Sequence, residues 1–179
     1  MTSWPAIARR IRVPLGFAFA VFYLYFAQPK IAALAAGAAI VAVGLVLRGL
    51  ASGHVRKNEA LTTTGPYAYT RNPLYLGSLI IACGFALAAR SWWIAGALVI
   101  FFAVVYVPVI RSEEDFLRGR FPEFESYARE VPPLLPRLTP RPGSHGAFSG
   151  QLYWQHREYN ALLGALAILA ALVFKLWKM

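Results

Sequence analysis

Two short polar segments hold the side chains of this chain that could do chemistry. The first is Thr64-Gly65-Pro66-Tyr67, followed closely by Arg71-Asn72-Pro73-Leu74-Tyr75-Leu76-Gly77; the second, further along, is Arg111-Ser112-Glu113-Glu114. Asn72 is a strong N-cap type, and proline is favoured at the first helical position. A helix is therefore expected to start at Pro73, with free backbone N–H groups and the positive end of its dipole making an anion site. Arg71 adds a formal charge at the same place, and Tyr67, Tyr69 and Tyr75 supply flat faces and hydroxyls. Acidic residues beside a membrane span are costly and usually paired or functional, which marks Glu113 and Glu114. An anion site opposite two carboxylates suits a zwitterionic ligand with an aromatic part. S-adenosylmethionine, with its amino-acid end, ribose and adenine, has that layout.

The elements that must position these residues are membrane helices. The chain has 179 residues, 58% hydrophobic and 15% charged, with mean hydropathy +0.50. Charge-free runs cover Val13–Pro29, Ile31–Leu47, Asn72–Ala89, Ser91–Ile110 and Tyr159–Phe174. Each is near the roughly 17–25 residues that a bilayer-crossing helix needs. The expected fold is all-α: a polytopic helical membrane protein of about five transmembrane helices with a cytoplasmic cofactor pocket. Pro29 breaks the first run from the second. The Ala- and Gly-rich second run reads as a packing surface, and Arg48 as its cytoplasmic end. Arg111–Tyr127 carries alternating charges with Phe116, Leu117, Phe121 and Phe124 at helical spacing. It predicts an amphipathic helix leaving the fourth span, with a break at Pro122. Residues 1–138 are expected to form the catalytic core, and 139–179 a proline-rich connector with the last helix.

The net charge of +10 is unevenly spread: fourteen of the eighteen basic residues fall on one side of the predicted spans. That asymmetry places the N-terminus in the cytoplasm and the C-terminus outside, in an integral membrane protein taken to be of the bacterial inner membrane. The basic excess sets topology and attracts anionic headgroups. No nucleic-acid partner is expected, because no aromatic-basic reading module accompanies the charge. The lone Cys83 rules out an internal disulfide, and His54, His145 and His156 lack metal-ligand spacing, so no metal is expected.

The order and spacing of Thr64-Gly65-Pro66-Tyr67, Arg71-Asn72-Pro73-Leu74-Tyr75-Leu76-Gly77, Glu113-Glu114-Asp115-Phe116-Leu117, Tyr127, Val131-Pro132 and Leu135-Pro136 resemble the isoprenylcysteine carboxyl methyltransferase family. That family groups with the phospholipid methyltransferases, and the resemblance covers about Leu61 to Pro136. It implies a cytoplasmic S-adenosylmethionine pocket and a lipophilic acceptor entering laterally from the bilayer. It places cofactor contacts at Glu59, Ala60, Leu61, Thr62, Tyr67, Arg71, Asn72, Pro73, Leu74, Tyr75, Gly77 and Glu113. Two positions depart from the pattern. Asn72 stands where the family has histidine, so no imidazole is present there to titrate. Val109 stands where prenylcysteine-modifying members carry a substrate-binding arginine, leaving Arg111 as the nearest candidate.

The reaction expected on this resemblance is in-line methyl transfer to a lipophilic or amphiphilic acceptor: prenylcysteine-like, a phospholipid amine or a thiol. Glu113 is expected to hold the cofactor and Glu114 to take a proton. Two rivals stay open: an NADPH-dependent membrane reductase of related fold, and a non-catalytic lipid-binding scaffold. The fifth helix is free to pack, to form a homodimer or to gate the cavity.

Overall fold

The structure is a computed structural model that describes residues 4–56 and 59–178. Lys57 and the side chains of Arg9, Arg10 and Arg12, which entered the topology argument, lie outside the described residues. All regular structure among the described residues is helical. In chain order the helices are α1 (Trp4–Phe26), α2 (Ile31–Ser52), α3 (Pro73–Ala89), α4 (Trp92–Phe101), α5 (Val107–Arg120), α6 (Phe124–Glu130), α7 (Gly150–Gln155) and α8 (Tyr159–Lys178). In lipid the backbone must satisfy its own hydrogen bonds, so apolar runs of this length can only be helices.

Three helical segments are long and apolar enough to cross a membrane: Ile31–Ser52, Trp92–Arg120 and Tyr159–Lys178. The other two expected spans are shorter apolar stretches, Pro14–Phe26 and Pro73–Ala89. The third begins at Pro73 as expected, and the chain before it makes a 3-10 turn, Gly65–Ala68. Gly65, at φ 58°, adopts the left-handed backbone that this turn requires.

α4 and α5 form one rod through a π-helical turn at Phe102–Tyr106. Pro108 follows that turn. It has no N–H to donate and crowds the preceding turn, which widens instead of breaking. Beyond the rod, the chain breaks at Phe121-Pro122 as expected and resumes in α6.

Hydrogen bonds define two ends of the bundle. At one, the Gln28 N–H donates to the Ala89 carbonyl at 2.8 Å, and Lys175 Nζ donates to the Leu24 carbonyl at 2.7 Å. These contacts gather the ends of α1, α3 and α8. At the other lie the end of α2, the start of α3, the end of α5 and the start of α8, joined by polar side chains.

α2 and α3 make the closest helix pair. Gly37 faces Gly84, and Gly44 faces Gly77; a Cβ on Gly44 would stand 2.7 Å from the Gly77 carbonyl oxygen. The small residues let the two backbones touch, the main source of helix affinity where lipid tails are as apolar as leucine. Tyr23, Leu34, Val41, Phe85, Ile94 and Leu172 fill the main core. A second cluster of Phe124, Tyr127 and Val131, with Leu61 and Leu117 against it, lies beneath the polar segment.

Candidate active site

The start of α3 is locked from three sides. Arg71 and Glu114 form a two-toothed pair, Nε to Oε1 and Nη2 to Oε2, each at 3.0 Å. Arg71 Nη1 also donates to the carbonyls of Ala128 at 2.8 Å and Val131 at 3.1 Å. Asn72 Nδ2 donates to Glu114 Oε1 at 2.8 Å and to the Pro133 carbonyl at 2.9 Å. The Arg71 N–H meets the Pro132 carbonyl, and the Thr70 hydroxyl reaches the carbonyls of Pro133 and Leu134. The charge partner beside the helix start is therefore the chain's own Glu114. Asn72 serves as a cross-brace, a role amide chemistry fills without titrating.

Tyr67 is buried, and its carbonyl accepts from the Tyr127 hydroxyl at 2.7 Å. Burial pushes the Tyr67 phenol well above its ordinary range, with Tyr127 and Glu113 adding to the shift. Burial does the same to Tyr127, against the opposing pull of Arg71 and Arg141. Both phenols therefore stay protonated, and Tyr127 keeps donating.

Glu113 is turned elsewhere. Its Oε1 accepts from the Tyr75 hydroxyl at 2.8 Å, and it lines a cavity of about 780 Å³. Leu74, Tyr75, Tyr106, Arg48, His156 and Glu158 are among the other lining residues. A second cavity of about 330 Å³ continues from it between the helices, walled by Phe19, Tyr23, Ile81, Phe85 and Leu98. Gly16, Ala20, Arg48, Ser78, Tyr106 and Asn160 border both. The result is a polar chamber that runs into an apolar groove.

Arg48 sits at that junction, one turn inside α2 rather than at its end. Its Nε donates to Glu158 Oε1 and its Nη1 to Ser78 Oγ, each at 2.5 Å. Neither Arg48 nor Glu158 was singled out as a site residue from sequence. The available signal was an arginine within an apolar helix, which must find a partner or a cavity. His156 has its Nδ1 3.1 Å from the Ser52 carbonyl oxygen, on the chamber wall.

The expected cofactor residues thus divide. Leu74, Tyr75 and Glu113 line the chamber. Ala60, Leu61 and Thr62 line a separate pocket of about 240 Å³ with His54, Thr64 and His145. That pocket adjoins the chamber where Gly53 follows Ser52. Glu59 is exposed. Pro73 is buried, and Gly77 packs on Gly44 and on the stem of Arg48 rather than facing a cavity. Arg111, the expected acceptor contact, is exposed and belongs to neither cavity wall. Val109 is buried with Val105, beside Tyr75 and Tyr106.

A carboxylate-bearing chamber that opens into an apolar slot can hold a cationic, partly aromatic molecule next to an amphiphile. The cobalt-zinc-cadmium resistance protein CzcN of Cupriavidus metallidurans is 43% identical over 84 residues, covering 47% of this chain and 39% of that protein. The nickel-cobalt-cadmium resistance protein NccN of Alcaligenes xylosoxydans xylosoxydans matches with the same identity and coverage. The chain spans about two fifths of the length of these curated relatives. No solved structure matches it significantly. The model of the phospholipid methyltransferase family matches residues 32–123, from the start of α2 through the carboxylate pair to the end of α5, and the chain belongs to that family of integral-membrane methyltransferases.

Proposed function

We propose that this protein transfers a methyl group from S-adenosylmethionine to an amphiphilic acceptor, with the acceptor's head in the chamber and its chain in the groove. The observation that carries this reading is the continuity of the two cavities past Arg48, Ser78 and Tyr106, with Glu113 on the polar side.

The donor set fits the cofactor. Ligand sites typically enclose about 300–1,000 Å³, and the chamber's roughly 780 Å³ falls within that range. Glu113 spends one oxygen on Tyr75, and among the described residues the other is left for a positive charge. The rings of Tyr75 and Tyr106 stand edge to face with centroids 5.7 Å apart, offering aromatic surface to a cation or a base. Bound there, S-adenosylmethionine would supply an electrophilic methyl group on a sulfonium centre.

The chain's own contribution is positioning. Tyr75 orients Glu113, and the Arg71–Glu114–Asn72 clamp holds the start of α3 so that Tyr75 faces the chamber. The apolar groove seats the acceptor's chain and so directs its head into the chamber, and alignment of two reactants is where such a transfer gains most. A carboxylate or thiolate acceptor needs no base; a protonated one needs a carboxylate within reach. Glu114 has both oxygens committed to Arg71 and Asn72 and Glu158 is paired with Arg48, which leaves Glu113 on the chamber wall for that proton.

The reading is tested by calorimetric titration of the purified protein with S-adenosylmethionine, followed by mass spectrometry of lipids and thiols incubated with labelled donor. Binding that is lost in Glu113→Ala, together with label in a lipophilic product, is the expected result. Binding of NADPH instead would favour a reductase. Folded protein that binds neither would favour a scaffold.

A further inference from the structure

Arg48 has a property that the cofactor reading does not use. Its Nε and Nη1 are anchored to Glu158, Ser78 and the Leu74 carbonyl. Among the described residues Nη2 has no partner. The side chain keeps 22% exposure and borders both the chamber and the groove. Its stem cannot withdraw, because its Cγ lies where Gly77 would carry a Cβ, at 2.5 Å. A guanidinium has donors only. A fixed, unpaired N–H group at the mouth of an apolar slot therefore calls for an acceptor oxygen. The other polar groups of the seam carry no positive charge: the Ser78 hydroxyl is spent on the Leu74 carbonyl, the Tyr23 hydroxyl, deeper in the groove, on Phe85, and Asn160 and Tyr106 offer only a neutral amide and phenol.

Resting on the methyltransferase reading, we propose that Arg48 binds the acceptor: its free Nη2 grips an oxyanion on the head of an amphiphile whose chain lies in the Phe19–Phe85 groove. Charged acceptors make bonds roughly twice as strong as neutral ones, which favours an oxyanion over a carbonyl. Glu158 is a positioning residue: it fixes the guanidinium plane without touching the acceptor. From Ser78 to Phe85 the groove runs seven residues along α3, or about 10 Å at 1.5 Å per residue. It accepts a single chain rather than a bulky ring system. Arg48 comes from α2, Glu158 from the loop before α8 and Phe19 from α1, so the acceptor site is assembled across the whole bundle.

The test uses the full chain in nanodiscs, with dodecanoate, dodecyl phosphate, dodecylamine and dodecanol as probes, alongside S-adenosylmethionine. Arg48→Gln is expected to weaken dodecanoate or dodecyl phosphate by about tenfold or more, the scale of one lost charge-assisted bond. Whichever of the two loses more identifies a carboxylate or a phosphate head. Dodecylamine, dodecanol and S-adenosylmethionine should bind as before. Glu158→Gln removes the competing negative charge while its amide oxygen can still accept from Arg48 Nε, so oxyanion binding should strengthen, an outcome a purely structural ion pair would not produce. If Arg48→Gln does not fold, Arg48→Lys asks the same question, since it keeps the charge and loses the fork. Equal loss for all four amphiphiles, or no loss for the oxyanions, overturns the proposal. Absence of S-adenosylmethionine binding in the unmutated protein would instead sink the methyltransferase reading, while the amphiphile titrations would still judge Arg48.

Discussion

Arg71 and Glu114, forty-three positions apart, meet through two parallel hydrogen bonds of 3.0 Å each. Their side chains are only 13% and 14% exposed. This pair, with Asn72, ties the polar segment before α3 to the middle of α5. It is the mechanical link between the two halves of the site.

Breaking one partner should therefore cost stability before it costs chemistry. Glu114→Gln or Arg71→Met is expected to lower unfolding free energy by about 3 kcal/mol, the usual result of leaving one buried charge alone. The double variant Arg71→Met, Glu114→Leu should recover much of that loss. Thermal melts in detergent measure both, and single variants as stable as the parent would refute the clamp.

Glu113 should behave in the opposite way. Glu113→Gln is expected to leave the melting temperature within a few degrees and weaken S-adenosylmethionine by about tenfold, as one charge-assisted contact is lost. Tyr75→Phe removes the hydrogen bond that orients Glu113, and should cost roughly threefold. Equal affinity in all three proteins would remove Glu113 from the chamber's chemistry.

Gly44 and Gly164 make a contrasting pair. A Cβ at Gly44 meets the Gly77 carbonyl oxygen at 2.7 Å, whereas one at Gly164 meets nothing within 4 Å. Gly44→Val should force α2 from α3 at a cost of about 1–3 kcal/mol or more. Gly164→Leu should be tolerated or slightly stabilising, because leucine is the better helix former by about 1 kcal/mol. Gly164 borders the groove, so the same change should cut transfer to long-chain acceptors while donor binding stays intact. Unaltered acceptor kinetics would show that the groove is not the acceptor's seat.

Outside the membrane-facing helices, Glu130 accepts from Arg141 Nη2 at 3.0 Å, and this bond lowers the Glu130 carboxyl pKa below its ordinary value. A depressed folded value gives stability that is present above the unfolded pKa and lost as pH falls through the folded one. The melting-temperature gap between the parent and Glu130→Gln should thus exist at neutral pH and close in acid. Melts across that range check it, and a gap that widened on acidification would reverse the sign.

Much of this protein was legible in its sequence. The five apolar runs became helical segments because lipid leaves the backbone no other partner. The breaks at Pro29, at Asn72-Pro73 and at Phe121-Pro122 appeared where proline chemistry requires them. Even the meeting of the two polar segments was foreseeable, since both leave spans at the same end of a short hairpin bundle. The roles of individual residues were not. Glu113 and Glu114 are neighbours in sequence, but successive residues on a helix point about 100° apart. One reaches Tyr75 and the chamber; the other reaches Arg71 and Asn72. Only the rotation of α5 against α3 decides which does which, and a π turn that sequence periodicity does not announce lies in the rod just before α5.

Arg48 and Glu158 show the same limit at longer range. They are 110 positions apart, one within α2 and the other in the turn before α8, and their contact depends on side-chain packing across the whole bundle. Local chemistry sets where a helix begins, ends and hides its apolar side. Which distant charge it then meets is a property of the assembled bundle, because in lipid the fit between helices, rather than the escape from water, determines how they turn toward one another.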